Sequence, residues 1–132
     1  MSRALSLNRR CLDDVLVLDV VGDLVVGPPA DAVWSEMDRA WADGTQKVLL
    51  NLSGLQYIDS TGVGAVLAAG KSAPALNRQV KLCSIPPLVA KVFATLRVSS
   101  VLETYDDEPR ALASFKHQPG GLRTQGCQVE GP

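Results

Sequence analysis

The feature that most constrains the fold is the segment from Val48 to Leu52, which is apolar at nearly every position. A short run of this kind is typical of a central strand that is covered on both of its faces. Soon after it, residues 58–64 combine an aspartate, two hydroxyl side chains and two glycines, and a helical pattern begins there. The sequence therefore predicts a buried strand, a short turn, and a helix that starts at a cluster of hydroxyl groups.

Strand-like and helix-like segments alternate along the rest of the chain. Residues 15–21 are β-branched and apolar, and residues 5–12 are expected to pair with them as a hairpin that turns at Asp13 and Asp14. Helices are predicted over residues 30–42, 61–76, 88–97 and 109–116, and further strands over residues 80–85 and 101–104. This alternation predicts an α/β fold, in which helices pack on a mixed sheet.

Length and charge limit the classes of protein to consider. The chain has 132 residues and a net charge of −1. It is long enough for one domain with a real core, and its charge favours neither nucleic acid nor an anionic membrane surface as a partner. We assign residues 1–117 to a single domain. Residues 118–132 are rich in glycine, glutamine and proline, and are predicted to form a disordered tail.

The sequence also predicts a cytoplasmic protein. The apolar run at residues 15–21 is interrupted by Asp19, is too short to span a bilayer, and follows two aspartates rather than a basic leader. Cys11, Cys83 and Cys127 are odd in number and form neither a CxxC pair nor a disulfide framework. Unpaired thiols in a reducing compartment are predicted, with a redox role for Cys11 or Cys127 as the alternative.

Several motifs resemble those of enzymes but lack the chemistry that such enzymes need. Residues 65–72 fit a permissive phosphate-binding loop pattern, yet their spacer is apolar and helix-forming where such a loop needs flexible backbone. The segment from Asp59 to Gly62 has one residue too many for an aspartic protease motif, which also needs a second carboxylate. The single histidine, His117, lies at the edge of the predicted tail, and no cluster has metal-ligand spacing. We therefore predict no catalytic residue, no cofactor and no metal site.

The hydroxyl cluster itself admits two interpretations. Aspartate, serine and threonine are the preferred N-cap residues, so Asp59, Ser60 or Thr61 could serve only to bind a free backbone N–H. A helix N-terminus also favours a negative group, because free N–H groups and the positive end of the helix dipole lie there. Ser60 is thus either part of a helix cap or a site that can carry a phosphate.

Residues from about 12 to 115 resemble the STAS domain of bacterial anti-sigma factor antagonists, the family that includes the sporulation and general-stress regulators of Bacillus. The matching segments are residues 21–24, 48–55, 57–64, 80–83 and 89–93, in this order. The resemblance implies a mixed sheet of about five strands, with about four helices packed mainly on one face. It also implies that the domain itself performs no catalysis.

In that family the serine directly after the aspartate is phosphorylated by the anti-sigma factor, a serine kinase with a GHKL-type ATP site. By position this serine is Ser60, and Thr61 is a secondary candidate. The resemblance implies that the unphosphorylated antagonist binds the anti-sigma factor and frees the sigma factor. We expect a monomer or weak dimer, since the sequence gives no sign of dimerisation. A PP2C-type phosphatase then resets the phosphorylated form. The partner-binding residues expected on this basis are Asp23, Asp59, Ser60, Thr61, Gly62, Val63 and Gly64.

A phosphate on Ser60 would act as a switch by simple physics. It adds about −1.5 to −2 charges at a helix end whose dipole tolerates them, so the fold is expected to persist. At a partner interface the same group would meet steric conflict and repulsion from Asp59 and from acidic partner groups. Gly62 and Gly64 are expected to let a partner backbone approach closely.

The chain departs from the family pattern at a few positions. Val25 stands where many relatives carry an aspartate close to the phosphorylated serine, which removes a carboxylate from the expected partner surface. Residues 77–78 and 96–98 lack glycines that are usual there. The alternative function is a STAS module that is not phosphorylated and serves as a scaffold or as a subunit of a transport or signalling complex. In that case Asp59 and Ser60 form only a turn and a cap.

Overall fold

The computed structural model describes residues 3–72 and 77–115. The strands of its sheet are β1 (Ser6–Leu12), β2 (Val15–Leu24), β3 (Lys47–Ile58), β4 (Gln79–Cys83) and β5 (Glu103–Tyr105). The α-helices are α1 (Pro28–Ala42), α2 (Ser60–Ser72), α3 (Pro87–Thr95) and α4 (Glu108–Ser114). The predicted tail at 118–132 and the end of the helix predicted over 61–76 lie outside the described residues.

The sheet follows the order of the strands in the sequence, β1-β2-β3-β4-β5. β1 and β2 form the predicted antiparallel hairpin, and its turn places Asp13 in the left-handed region with φ 56°. The pairs β2–β3, β3–β4 and β4–β5 are parallel. Parallel neighbours need a crossover, and α1, α2 and α3 supply these crossovers in turn.

Hydrophobic cores lie on both faces of the sheet, and they are unequal in size. The larger one packs the buried residues of α1, α2 and α3 against strand residues that include Leu18, Leu50 and Leu82. The smaller one, on the opposite face, holds Ala111 of α4 and Phe115 just after it. Three helices on one face and one on the other confirm the predicted fold class.

β3 differs from the sequence-based prediction in its length. Its first part, Lys47 to Asn51, pairs with both β2 and β4, and Val48 to Leu50 are buried as expected of a central strand. Its second part continues beside β2 as far as Ile58. Only Asp59 separates the strand from α2, so the predicted short turn is wrong. Pairing with β2 keeps this segment extended.

Two positions that lack a usual glycine keep the backbone conformation that glycine favours. Asn77, before β4, has φ 58°, and Arg97, after α3, has φ 54°. Asparagine visits this left-handed region at little cost, whereas an arginine there is disfavoured by roughly 1 kcal/mol. Both positions therefore adopt a left-handed turn conformation without a glycine.

Candidate functional site

The hydroxyl cluster lies at the end of the sheet where the parallel strands β2 and β3 finish together. Leu24, the last residue of β2, is in register with Ile58, the last residue of β3. The residues that follow each strand, Val25 and Val26 on one side and Asp59 and Ser60 on the other, are therefore neighbours. The carboxyl ends of parallel strands are a common place for a functional site in α/β folds.

Asp59 is the N-cap of α2. Its Oδ1 accepts a hydrogen bond from the N–H of Gly62 at 2.8 Å, and its Oδ2 accepts one from the N–H of Val26 at 2.9 Å. Its own N–H donates to the carbonyl oxygen of Leu24 at 3.2 Å. The N–H groups of Gly62 and Val26 stabilise the anion and lower the pKa of the carboxyl. One carboxylate thus caps the helix and joins it to the loop that follows β2.

Ser60 is the first residue of α2 and is exposed, as is Thr61 after it. Among the residues that the structure describes, neither hydroxyl makes a side-chain hydrogen bond. Since Asp59 takes the role of cap, the Ser60 hydroxyl is left available to a partner. The choice among three possible caps, which the sequence left open, falls on Asp59.

The glycines of this helix serve different purposes. A Cβ at Gly62 would lie 2.2 Å from the carbonyl oxygen of Leu24, so this position must be glycine for α2 to approach the end of β2. The expected reason for Gly62, room for a partner backbone, is therefore wrong. A Cβ at Gly64 would meet nothing within 4 Å. Of the two, only Gly64 faces open space.

Two further residues expected to contact a partner are buried. Val63 is 1% exposed and belongs to the larger hydrophobic core. Asp23 is 6% exposed, and its Oδ2 accepts a hydrogen bond from the N–H of Arg3 at 2.8 Å. Burial leaves little of either side chain exposed: Val63 packs in the core beneath α2, and Asp23 holds the segment before β1 alongside β2. Ser60, Thr61 and Gly64 remain exposed.

Sequence reasoning missed the exposed apolar side chains around Ser60. Val26 is 65% exposed, Tyr57 is 58% exposed, and Leu88, the second residue of α3, is 71% exposed. Val26 follows β2 and Tyr57 lies near the end of β3, whereas Leu88 follows β4, whose last residue, Cys83, pairs with Asn51 rather than with the end of β3. We call residues 24–30 and 57–62 the Ser60 end of the sheet. Apolar letters in a sequence indicate a core, so exposure of these three could be found only in the structure.

The enzyme-like motif at residues 65–72 and the cysteines have the structure that the sequence predicts, as far as the structure describes these residues. Residues 65–71 lie within α2, with Ala65 and Ala69 buried, so they form a helix rather than a loop. Cys11 and Cys83 are free thiols, and burial raises the pKa of Cys83; Cys127 lies outside the described residues. Over residues 3–72 and 77–115, no cluster of potential metal ligands is present, and no helix is long and apolar enough to cross a membrane.

Comparisons with known proteins agree on one family. A family model described as a STAS domain matches residues 6–111. The putative anti-sigma factor antagonist BtrV of Bordetella bronchiseptica is 28% identical over 105 residues, which cover 80% of this chain and 90% of BtrV. The anti-sigma F factor antagonist of Paenibacillus polymyxa is 26% identical over 103 residues, which cover 77% of this chain and 87% of that protein.

Two solved structures have the same fold as this chain. The anti-sigma factor antagonist SpoIIAA in its unphosphorylated form matches with a TM-score of 0.64 at 21% identity, over 83% of this chain and 94% of that one. The phosphorylated form of SpoIIAA from Bacillus matches with a TM-score of 0.63, over 83% of this chain and 97% of that one. At this identity the likeness shows a shared fold.

Proposed function

The chain belongs to the STAS domain family, and on this premise we propose that it is an anti-sigma factor antagonist that is switched by phosphorylation of Ser60. Two relatives that match about four fifths of the chain are named as such antagonists. The partner proposed here is an anti-sigma factor with a GHKL-type serine kinase site. In its unphosphorylated form the protein binds this partner and frees a sigma factor in the cytoplasm.

The observation that supports the proposal most directly is that Asp59 and Ser60 have different roles. Asp59 accepts hydrogen bonds from the N–H groups of Val26 and Gly62, so Ser60 is not needed as the cap. The Ser60 hydroxyl is exposed at the first position of a 13-residue helix. This arrangement supports modification, because a phosphate can be added there without removing a hydrogen bond that holds the fold.

The chemistry divides between the two proteins. The Ser60 oxygen attacks the γ-phosphorus of ATP, an O–P bond forms, the bond to the β,γ-bridging oxygen breaks, and ADP leaves. The hydroxyl proton must pass to a base. Asp59 is poorly suited to accept it, since its oxygens bind N–H groups and its pKa is lowered. The base, the ATP site and its metal therefore come from the kinase, and this chain supplies only the acceptor.

The phosphorylated form is expected to keep its fold. A phosphate at the first residue of α2 lies at the positive end of the helix dipole, where a negative group is favourable. The cap at Asp59 and the contact between Gly62 and Leu24 stay as they are. A partner seated on this end of the sheet meets new charge and bulk, so binding falls. A PP2C-type phosphatase, which removes the phosphate as inorganic phosphate with water, is proposed to restore the active form.

A kinase assay tests this function. The purified protein is incubated with each GHKL-type anti-sigma factor of its own organism, Mg²⁺ and ATP labelled at the γ-phosphate. We expect one phosphate per chain, its loss in Ser60→Ala, and its retention in Thr61→Ala, a matched control with a neighbouring exposed hydroxyl. Full phosphorylation of Ser60→Ala would remove Ser60 from this role. Failure of every such anti-sigma factor to bind or phosphorylate the protein would overturn the proposed function.

A further inference from the structure

We propose that two copies of this chain associate reciprocally, with Leu88 of each copy seated in a groove between α1 and α2 of the other. Lys91, one helical turn after Leu88 on α3, then faces Asp38 at the groove of the second copy. None of the residues that carry this contact belongs to the Ser60 end of the sheet. The inference therefore goes beyond the proposed function and does not depend on it.

The groove between α1 and α2 has a volume of about 210 Å³. Its apolar lining consists of Trp34, Met37, Trp41, Ala65 and Ala69, and two charged residues, Asp38 and Arg78, complete it. Sites for drug-sized ligands are larger, at about 300–1,000 Å³. A cavity of about 150 Å³ already accepts a benzene ring, however. The groove is therefore of a size to take one large apolar side chain.

Leu88 on α3 is a projection that such a groove can take. It is 71% exposed, the highest value among the large hydrophobic residues of the described chain. Val92 and Leu96 follow it at intervals of four residues and lie on the same side of the helix, and Leu96 is 45% exposed. The hydroxyl of Thr95, on this side as well, donates to the carbonyl oxygen of Lys91 at 3.0 Å. Burying this side of α3 therefore leaves that hydroxyl with its acceptor.

The distribution of unpaired charges indicates what covers these surfaces. Residues 60–102 contain five basic residues and no acidic one. Among the described residues, the basic side chains that form no ion pair all lie in this range, and they are Lys71, Arg78, Lys91 and Arg97. On α1, by contrast, Asp31 and Asp38 are exposed and form no ion pair. The exposed apolar residue of α3 thus has an unpaired base beside it, and the apolar groove has an unpaired acid.

Docking of Leu88 in the groove brings these two charges together. Lys91 follows Leu88 by three residues, so the two side chains are neighbours on the helix surface. The other charge of the groove, the guanidinium of Arg78, lies 4.6 Å from the centre of the Trp41 ring, where a cation–π interaction holds it. Since one chain carries both the projection and the groove, a second copy can supply each surface with its complement. A reciprocal pair, in which each copy gives one Leu88 and receives one, satisfies two-fold symmetry.

Analytical ultracentrifugation of the full chain between about 10 μM and 1 mM tests the pairing, since an interface with so few contacts gives weak association. The wild type is expected to change from monomer to dimer within this range. Leu88→Ser and Trp34→Ser are each expected to raise the dissociation constant at least about tenfold, as central apolar contacts do. Val26→Ser is the matched control, because Val26 is 65% exposed but lies outside both surfaces. It is expected to change the constant less than about twofold, and urea unfolding checks that every variant is folded.

Charge reversal tests whether Lys91 of one copy faces Asp38 of the other. Lys91→Glu and Asp38→Lys are each expected to weaken association at least about tenfold, because like charges then meet. An equimolar mixture of these two variants restores opposite charges at both contacts and is expected to associate within about threefold of the wild type.

Several results would overturn the reciprocal pair. A wild type that stays monomeric up to the highest concentration, species larger than a dimer, or a Leu88→Ser variant that associates like the wild type would each do so. If the mixture of charge variants stays monomeric, the pairing of Lys91 with Asp38 is wrong. Phosphorylation of Ser60 is measured separately in the kinase assay, so failure of this inference and failure of the proposed function are distinguishable.

Discussion

The Ser60 end of the sheet holds one charged side chain, whereas the face beneath α4 is built around several. On that face Arg10 of β1 binds the carboxylates of Asp19 and Glu108, and Asn51 donates to Glu108 at 2.9 Å. We call these four residues the Arg10 network. It fastens the start of α4 to three neighbouring strands.

Lys81 extends the use of charge on this face. Its Nζ lies 3.0 Å from the carbonyl oxygen of Ser114, the last residue of α4, and 3.0 Å from a carboxylate oxygen of Glu103. The lysine is 6% exposed, and a cation near the last carbonyls of a helix is favourable. Charged side chains on this face therefore hold a short helix in place, whereas the Ser60 end has a single charged side chain, Asp59.

Both regions contain a carboxyl whose pKa is lowered, but for different physical reasons. Arg10 lowers the pKa of Glu108 through hydrogen bonds and opposite charge, with Asn51 adding a further hydrogen bond. Backbone N–H groups, those of Gly62 and Val26, lower the pKa of Asp59. The first interaction is between two charged groups, so it is expected to weaken in salt, whereas the second depends on backbone geometry. The comparison teaches that a shifted pKa does not by itself indicate how a region is held together.

The largest effect is expected where the Ser60 end depends on close backbone approach. Gly62→Ala places a Cβ against the carbonyl oxygen of Leu24 and is expected to lower the free energy of unfolding by about 2–3 kcal/mol, as overpacking does. Gly64→Ala, in open space two residues on, is expected to raise it by about 0.5–1 kcal/mol. Urea unfolding monitored by tryptophan fluorescence measures both. Equal stabilities of the two variants would show that α2 does not need its close contact with β2.

Loss of the Asp59 carboxylate is the next effect in size. Asp59→Ala leaves the N–H groups of Gly62 and Val26 without their acceptor and is expected to cost about 1–2 kcal/mol. Asp59→Asn keeps an acceptor for the cap and is expected to cost less. The difference between wild type and Asp59→Ala, measured by urea unfolding, is expected to be similar in low and in high salt. A cost that vanishes in high salt would mean that Asp59 acts through charge rather than as a cap.

A smaller effect is expected in the Arg10 network. Glu108→Gln removes the charge that faces Arg10 and is expected to cost about 0.5–1 kcal/mol, since these side chains are partly exposed. The cost is expected to shrink in 1 M salt, in contrast to that of Asp59→Ala. Asp106→Asn is the control, because Asp106 pairs with Arg110 only at the surface and its loss is expected to be neutral. A salt-independent cost of Glu108→Gln would erase the contrast between the two regions.

The smallest effect is a dependence on pH that both regions share. The pKa values of Asp59 and Glu108 are lower in the folded than in the unfolded chain. Their stabilisation is therefore present above the unfolded values of about 4 and is lost as the pH falls through the folded ones. When the pH falls from 5 to about 3, the free energy of unfolding is expected to decrease less for the double variant Asp59→Asn, Glu108→Gln than for the wild type. Parallel unfolding curves at each pH would contradict this expectation.

The order of the helices and strands and the place of the candidate site could be predicted from the sequence. An apolar strand at Val48–Leu52, helical spacing after it and a hairpin before it are local patterns, and each is present in the structure. The position of Ser60 at the start of a helix also followed from local residue types. Patterns of this kind are visible in sequence because hydrophobic periodicity and capping depend on residues a few positions apart.

The structural roles of the residues near Ser60 could not be predicted from the sequence, because they depend on tertiary packing. Parallel pairing of β2 with β3 carries Leu24 and Val26 to Asp59, so the carboxylate becomes the cap and Gly62 becomes obligatory. The same packing buries Asp23 and Val63 and leaves Val26, Tyr57 and Leu88 exposed. The contacts that fix the roles of Asp59 and Gly62 join residues more than thirty positions apart. Such contacts arise from sheet register and helix packing, and these cannot be predicted from patterns of neighbouring residues.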